Sequence, residues 1–347
     1  MKKLLASLFI IILVSCFPGQ GAPSPTAESP EEGVYLSTLQ ELNLSGSLIL
    51  IEYRKEGSRL MRLDLSTGEM RALFQAPERS ILAAADVSPD GEQILLAYAP
   101  PPPEGQVQFG YTGLFLMPVD GSGSPEPLLE RVGSGESFSH PTWSPDGKAV
   151  YYTHTLPDPS AEGGVAARIE RLAAGSEPEI IVEDYMWPRL SMDGEWLAFL
   201  SINLERDENE LFYARSDGSD PAPVFSPGDY PAVDAHVFSP DGKMIYFSAV
   251  NPVQASSPAW PNRGLSFGVR PVSAHEAASD WYRVDLETGE ARRLSYIDET
   301  GMYAAFSPAG DLLAVTGSNG VYIMQPDGSR LVQIAHLLAT GTVDWIP

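Results

Sequence analysis

The chain has 347 residues, 43% of them hydrophobic, and its 46 acidic against 22 basic side chains give a net charge of −24. No cluster of Lys and Arg interrupts that acidity, which argues against a phosphate-neutralising surface and so against nucleic acid as a partner. A single Cys excludes a disulfide framework.

Residues 1–16 read as a lipoprotein export signal. Lys2-Lys3 is the positive start, and Leu4 to Val14 is an apolar run too short for a stable membrane span. The run ends in Leu13-Val14-Ser15-Cys16, which resembles the bacterial lipobox, in which the Cys becomes the lipidated first residue. An ordinary secretory signal with a chance Cys is the alternative. The expected location is extracytoplasmic, lipid-anchored to the cell membrane or outer membrane, and the mature charge is then −26. Residues 17–45 are rich in Pro, Ser, Gly and Glu and are expected to form a flexible tether.

From residue 46 onward one turn recurs: Ser88-Pro89-Asp90-Gly91, Ser144-Pro145-Asp146-Gly147 and Ser239-Pro240-Asp241-Gly242. Eroded copies are Ser191-Met192-Asp193-Gly194 and Ser307-Pro308-Ala309-Gly310. Pro presets φ for the first turn position and Gly supplies a positive φ, so each copy reads as a type I turn closed by a glycine bulge. Apolar strands follow, such as Ala149-Val150-Tyr151-Tyr152 and Met244-Ile245-Tyr246-Phe247. A second hairpin repeats too, as in Leu63-Asp64-Leu65-Ser66-Thr67-Gly68 and Val284-Asp285-Leu286-Glu287-Thr288-Gly289. Four strands per repeat with two turn signatures describe a propeller blade.

Two fragments complete each other. Ser47 to Arg54 is a strand with no turn before it, and Val343-Asp344-Trp345-Ile346-Pro347 is an innermost-type strand with no follower. The last strand is therefore expected to join the first blade and close an all-β, six-bladed ring of four-stranded antiparallel blades, removing exposed edges. Blade spacings of 47 and 48 residues set the bare repeat; spacings of 56 and 68 mark insertions. One is Ala99 to Gly110, with four consecutive prolines. The other runs from Asn251 to about Asp280 and holds Trp260, Arg263, Phe267, Arg270 and His275, a candidate partner-binding loop. Both fall between second and third strands, so both should emerge on one face.

The Ser-Pro-Asp-Gly turn, its apolar strand and the Asp-x-x-Thr-Gly-Glu hairpin together resemble the repeats of TolB-like six-bladed propellers over residues 47–347. The resemblance implies a binding protein or the accessory domain of a serine peptidase. TolB itself has an α/β domain before its propeller and binds a peptidoglycan-associated lipoprotein through one face; here a lipid signal and tether stand in that place.

Catalytic signatures are missing. There is no Gly-x-Ser-x-Gly elbow, no Cys-x-x-Cys and no phosphate-cradling loop. His275-Glu276 begins like a zinc-peptidase motif, but Ser279 stands where its second His belongs. No cofactor or metal is expected. Innermost strands carry Asp86, His140, Asp234, His236 and Asp344, which could converge at a channel mouth as a ligand site or simply bond neighbouring strands. The expected function is a monomeric, non-catalytic propeller binding an envelope or surface protein. A small-molecule, glycan or peptide receptor is the alternative, and a hydrolase or lyase using channel His and Asp a further one.

Overall fold

The computed structural model describes residues 33–347 apart from 108, 162–163, 204–207, 227, 231, 251–276 and 340. Six antiparallel sheets follow one another around a ring. Blade 1 is built from Val343–Ile346, Ser47–Arg54, Gly57–Asp64 and Met70–Gln75, in that spatial order. The innermost strands of blades 2 to 6 are Ile81–Val87, Ser137–Trp143, Met186–Leu190, Val233–Phe238 and Tyr303–Phe306.

The turn chemistry works as the residues require. In each Ser-x-Asp-Gly copy the Ser hydroxyl donates to the Asp carboxylate at 2.6–2.7 Å, and the returning strand's N–H donates to the Ser hydroxyl. Gly91, Gly147, Gly194, Gly242 and Gly310 all have φ between 69° and 76°. In the copy that lacks the Asp, Asp311 takes over, accepting from Ser307 at 2.8 Å. The second hairpin is an Asx turn: Asp64 accepts from the N–H groups of Ser66 and Thr67, and Asp285 does the same for Glu287 and Thr288.

Closure is as the two fragments suggest. Ser47 pairs with Ile346, Leu48 with Trp345, Ile49 with Asp344 and Leu50 with Val343. The Trp345 indole also donates to the Ser45 carbonyl at 3.1 Å. Side chains between blades form the core, with Trp281, Tyr152, Phe199 and Phe247 fully buried.

Residues 33–45 depart from the expected tether. Gly33–Val34 adds a fifth strand to blade 6, pairing with His336 and Ala335, and Leu36–Leu42 is a helix. Seven residues make a helix too short to persist alone. Leu39 is buried in the same core cluster as Leu63, Leu65 and Ile334, which holds it in place. Polar composition around residues 17–32 hides this short apolar stripe in the sequence.

The disc has two unlike faces. One carries the Ser-Pro-Asp-Gly turns and the second hairpins, and is termed the turn face. The opposite face, the loop face, carries the crossovers between blades and the connections between second and third strands. Both insertions start and end there: one between Gln93–Ala99 and Gly113–Pro118, the other between Met244–Val250 and Ser279–Asp285.

Candidate functional site

Two residues before each turn serine, one position repeats around the axis. In ring order it holds Asp344, Asp86, Thr142, Arg189, Val237 and Ala305, with Ile346 standing where the first serine would be. All six line a cavity of about 530 Å³. Its rim includes Pro89, Met192, Pro240, Pro308 and Pro347, so it opens on the turn face. Register shifts in the innermost strands of blades 2 to 5 redirect side chains deeper in the channel. His140 and Trp187 sit at two of these bulges with φ of 49° and 58°.

The ring is charged on one arc only. Asp86 accepts the Trp143 N–H at 2.7 Å and faces Arg189 Nη1 at 3.8 Å; Arg189 donates to the Pro141 carbonyl at 3.1 Å. Asp344 accepts the Val87 N–H at 3.0 Å. Burial raises the pKa of Asp86, and the nearby Arg189 charge only partly offsets it. Asp344 is pushed well above the carboxylate range by burial first and then by the Asp86 charge. His236 is drawn down to about 3, chiefly by burial and then by Arg189. The backbone of Ala198 and Trp187 pulls it back only in part, and both ring nitrogens are closed to solvent.

Of the channel residues singled out in the sequence, Asp86, His236 and Asp344 line this one cavity. His140 instead stacks on Trp187, with ring centroids 4.4 Å apart, and His236 lies 6.1 Å from the same indole. Asp234 is buried, where its charge raises the Tyr303 pKa after burial has done so. Arg189, Trp187 and Tyr303 were not singled out by sequence reasoning. Aligning the turn copies and reading two positions back would have found Arg189. Cys16 and the loop residues Trp260, Arg263, Phe267, Arg270 and His275 lie outside the described residues. Among the described residues, no group of three or more His, Cys, Asp or Glu could hold a metal ion.

The loop face has a different character. Most of the exposed large hydrophobic side chains among the described residues are there: Val107, Phe109 and Tyr111 in the first insertion, Val132, Tyr296 and Leu338 in crossovers, and Val165 in a hairpin. The turn face contributes Met192, and Leu36 lies beside Gly68 of the second hairpin in blade 1. Phe109 stacks with Tyr111 at 6.2 Å, and the Arg131 guanidinium lies 5.8 Å from the Tyr111 ring centre. Val132 is 98% exposed.

Buried charges fix the crossover that presents Arg131 and Val132. Glu136 Oε2 accepts the N–H groups of Val132 and Gly133 at 2.5 and 2.9 Å, and its Oε1 lies 2.9 Å from His154 Nε2. Burial pushes the Glu136 pKa up, but those N–H groups and His154 outweigh it and leave it lowered. The other ring nitrogen of His154 meets Glu170, which also accepts from Tyr152 and Arg168. A fully paired buried network of this kind rigidifies its surroundings.

Similar folds among solved structures do different work. TolB from Acinetobacter baumannii aligns with a TM-score of 0.59 at 17% identity, covering 90% of this chain and 70% of that one. A chain of a nidogen/laminin complex gives 0.59 at 12% identity, covering 86% and 98%. Oligogalacturonate lyase in complex with manganese gives 0.52 at 14% identity, covering 88% and 76%. These likenesses define the class, a six-bladed β-propeller similar in fold to TolB. No family model matches the chain, and no curated protein does.

Proposed function

We propose that this chain is an extracytoplasmic lipoprotein, tethered through Cys16, whose monomeric propeller is a non-catalytic scaffold binding an envelope or surface protein on its loop face. The observation that carries the reading is the one-sided exposure of apolar side chains, with Phe109, Tyr111 and Val132 beside Arg131. Contiguous exposed apolar groups mark interaction surfaces, and aromatic residues with Arg dominate binding energy at them. The rigid crossover beneath Val132 reduces the ordering cost of docking.

The channel offers poor support for hydrolase or lyase chemistry. With a pKa near 3, His236 is a weak base and carries no proton to donate at neutral pH. Asp86 is occupied by a backbone N–H and Arg189.

The test is cross-linked capture of the full chain from its own membranes, comparing wild type with Phe109→Ser/Val132→Ser. These exposed changes should shift stability by no more than about 0.5 kcal/mol each, while the captured protein is lost. Equal capture by both chains would refute the loop face as the binding surface. Cys16→Ser should move the chain into the aqueous phase of a detergent partition; retention in the detergent phase would refute the tether.

A further inference from the structure

The channel cavity lies at the opposite end of the disc from the loop face and stands independently of the partner reading. Its polar arc, Asp344–Asp86–Thr142–Arg189, contains two carboxyl groups but one guanidinium. Asp86 is engaged by the Trp143 N–H and Arg189. Asp344 uses Oδ2 for the Val87 N–H, and its Oδ1 makes no hydrogen bond among the described residues. A second observation concerns His236. It is 2% exposed and backs the same cavity wall, with its ring nitrogens closed off beside the Ala198 and Trp187 backbone. Held neutral by burial, it adds no repelling charge to the wall.

Charge counting selects the ligand. A carboxylate entering beside Arg189 would be a second anion, after Asp86, facing one cation. An ammonium makes two charges of each sign on this arc once Asp344 ionises beside the Asp86–Arg189 pair. The remaining walls suit its other end: Val237 and Ala305 are apolar, and Trp187, Tyr303 and Trp345 supply aromatic surface. A cavity of about 530 Å³ is of small-ligand size.

We propose that this cavity is a binding site for an organic ammonium ion, with Asp344 taking the charged nitrogen and the Val237–Ala305 wall taking an apolar substituent. The ligand arrives as R–NH₃⁺, and the Asp344 carboxylic acid releases its proton to solvent. The other ionisable groups lining the cavity are Asp86, Asp90, Arg189, His236 and Tyr303, with Asp234 near Tyr303; none of them needs to change state.

Titration calorimetry of the full chain at pH 7 with phenethylammonium, in two buffers of different ionisation enthalpy, tests this. The expected result is one site with about one proton released, and no binding of phenylpropionate. Asp344→Asn keeps an oxygen for the Val87 N–H while removing the charge. It should weaken the amine about tenfold or more and abolish proton release. Ala305→Arg, in the blade next to Asp344, would set a second cation beside the site and should also block the amine; it decides the matter if the Asn variant fails to melt cooperatively. Absence of amine binding, equal binding of phenylpropionate, or unchanged affinity in the folded Asn or Arg variant would overturn the proposal.

Discussion

Lowering the pH from 7.5 to 5.0 should destabilise the folded chain by about 2 kcal/mol through His236 alone. Its folded pKa is about 3, against an ordinary histidine value of 6.5. The unfolded chain therefore takes up a proton that the folded chain refuses. Stability from this group is complete above pH 6.5 and lost as the pH falls toward 3; at pH 5 the loss is about 1.5 units at 1.36 kcal/mol each. Asp86 and Asp344 act oppositely, because raised carboxyl pKa values favour the fold more as the pH falls. The comparison must therefore be made against a chain that keeps them. His236→Leu gives up only the weak approach of its nitrogens to the Ala198 and Trp187 backbone, so the variant should lie within about 1 kcal/mol of wild type at pH 7.5. At pH 5.0 it should be the more stable chain by about 2 kcal/mol. Urea denaturation at both pH values measures this. Parallel loss of stability in the two chains would refute a buried, neutral His236.

Three further outcomes follow from the geometry. Asp311→Ala should cost about 1 kcal/mol by removing the acceptor for Ser307, and adding Ala309→Asp should restore most of it; a thermal-melt double-mutant cycle reads the coupling. Trp345→Ala, in the closing strand, should cost about 3–5 kcal/mol, and truncation after Thr342 should abolish the cooperative melt. Tyr152→Phe should cost about 1–2 kcal/mol, since Glu170 loses the hydroxyl that donates to it at 2.8 Å; a urea melt measures it.

The ring was legible because its turns carry their own chemistry. A Ser, a Pro, an Asp and a Gly at fixed spacing dictate a hairpin wherever they occur, and the orphan strands at the two ends dictate closure. The helix at Leu36–Leu42 was not legible, because only tertiary burial of Leu39 makes so short a segment helical. Arg189 stayed hidden because the position two residues before each turn serine holds a different residue type from blade to blade, so no motif marks it. The Glu136–His154–Glu170 network comes from three segments brought together by pairing, so no local spacing announces it. The loop-face surface was only half visible: the insertion was evident from repeat length, but the exposure of Phe109 and Tyr111 and the approach of Arg131 come from chain segments that pairing brings together.

The loop face as the docking surface is tested most directly by a hydroxyl-radical footprint of the full chain in its own membrane, read before and after detergent strips its partners. The account predicts that Phe109, Tyr111 and Tyr296 are shielded in the membrane and become reactive on stripping, while Met192 on the turn face reacts equally in both. Shielding of Met192 with unchanged reactivity at Phe109 and Tyr111 would contradict it.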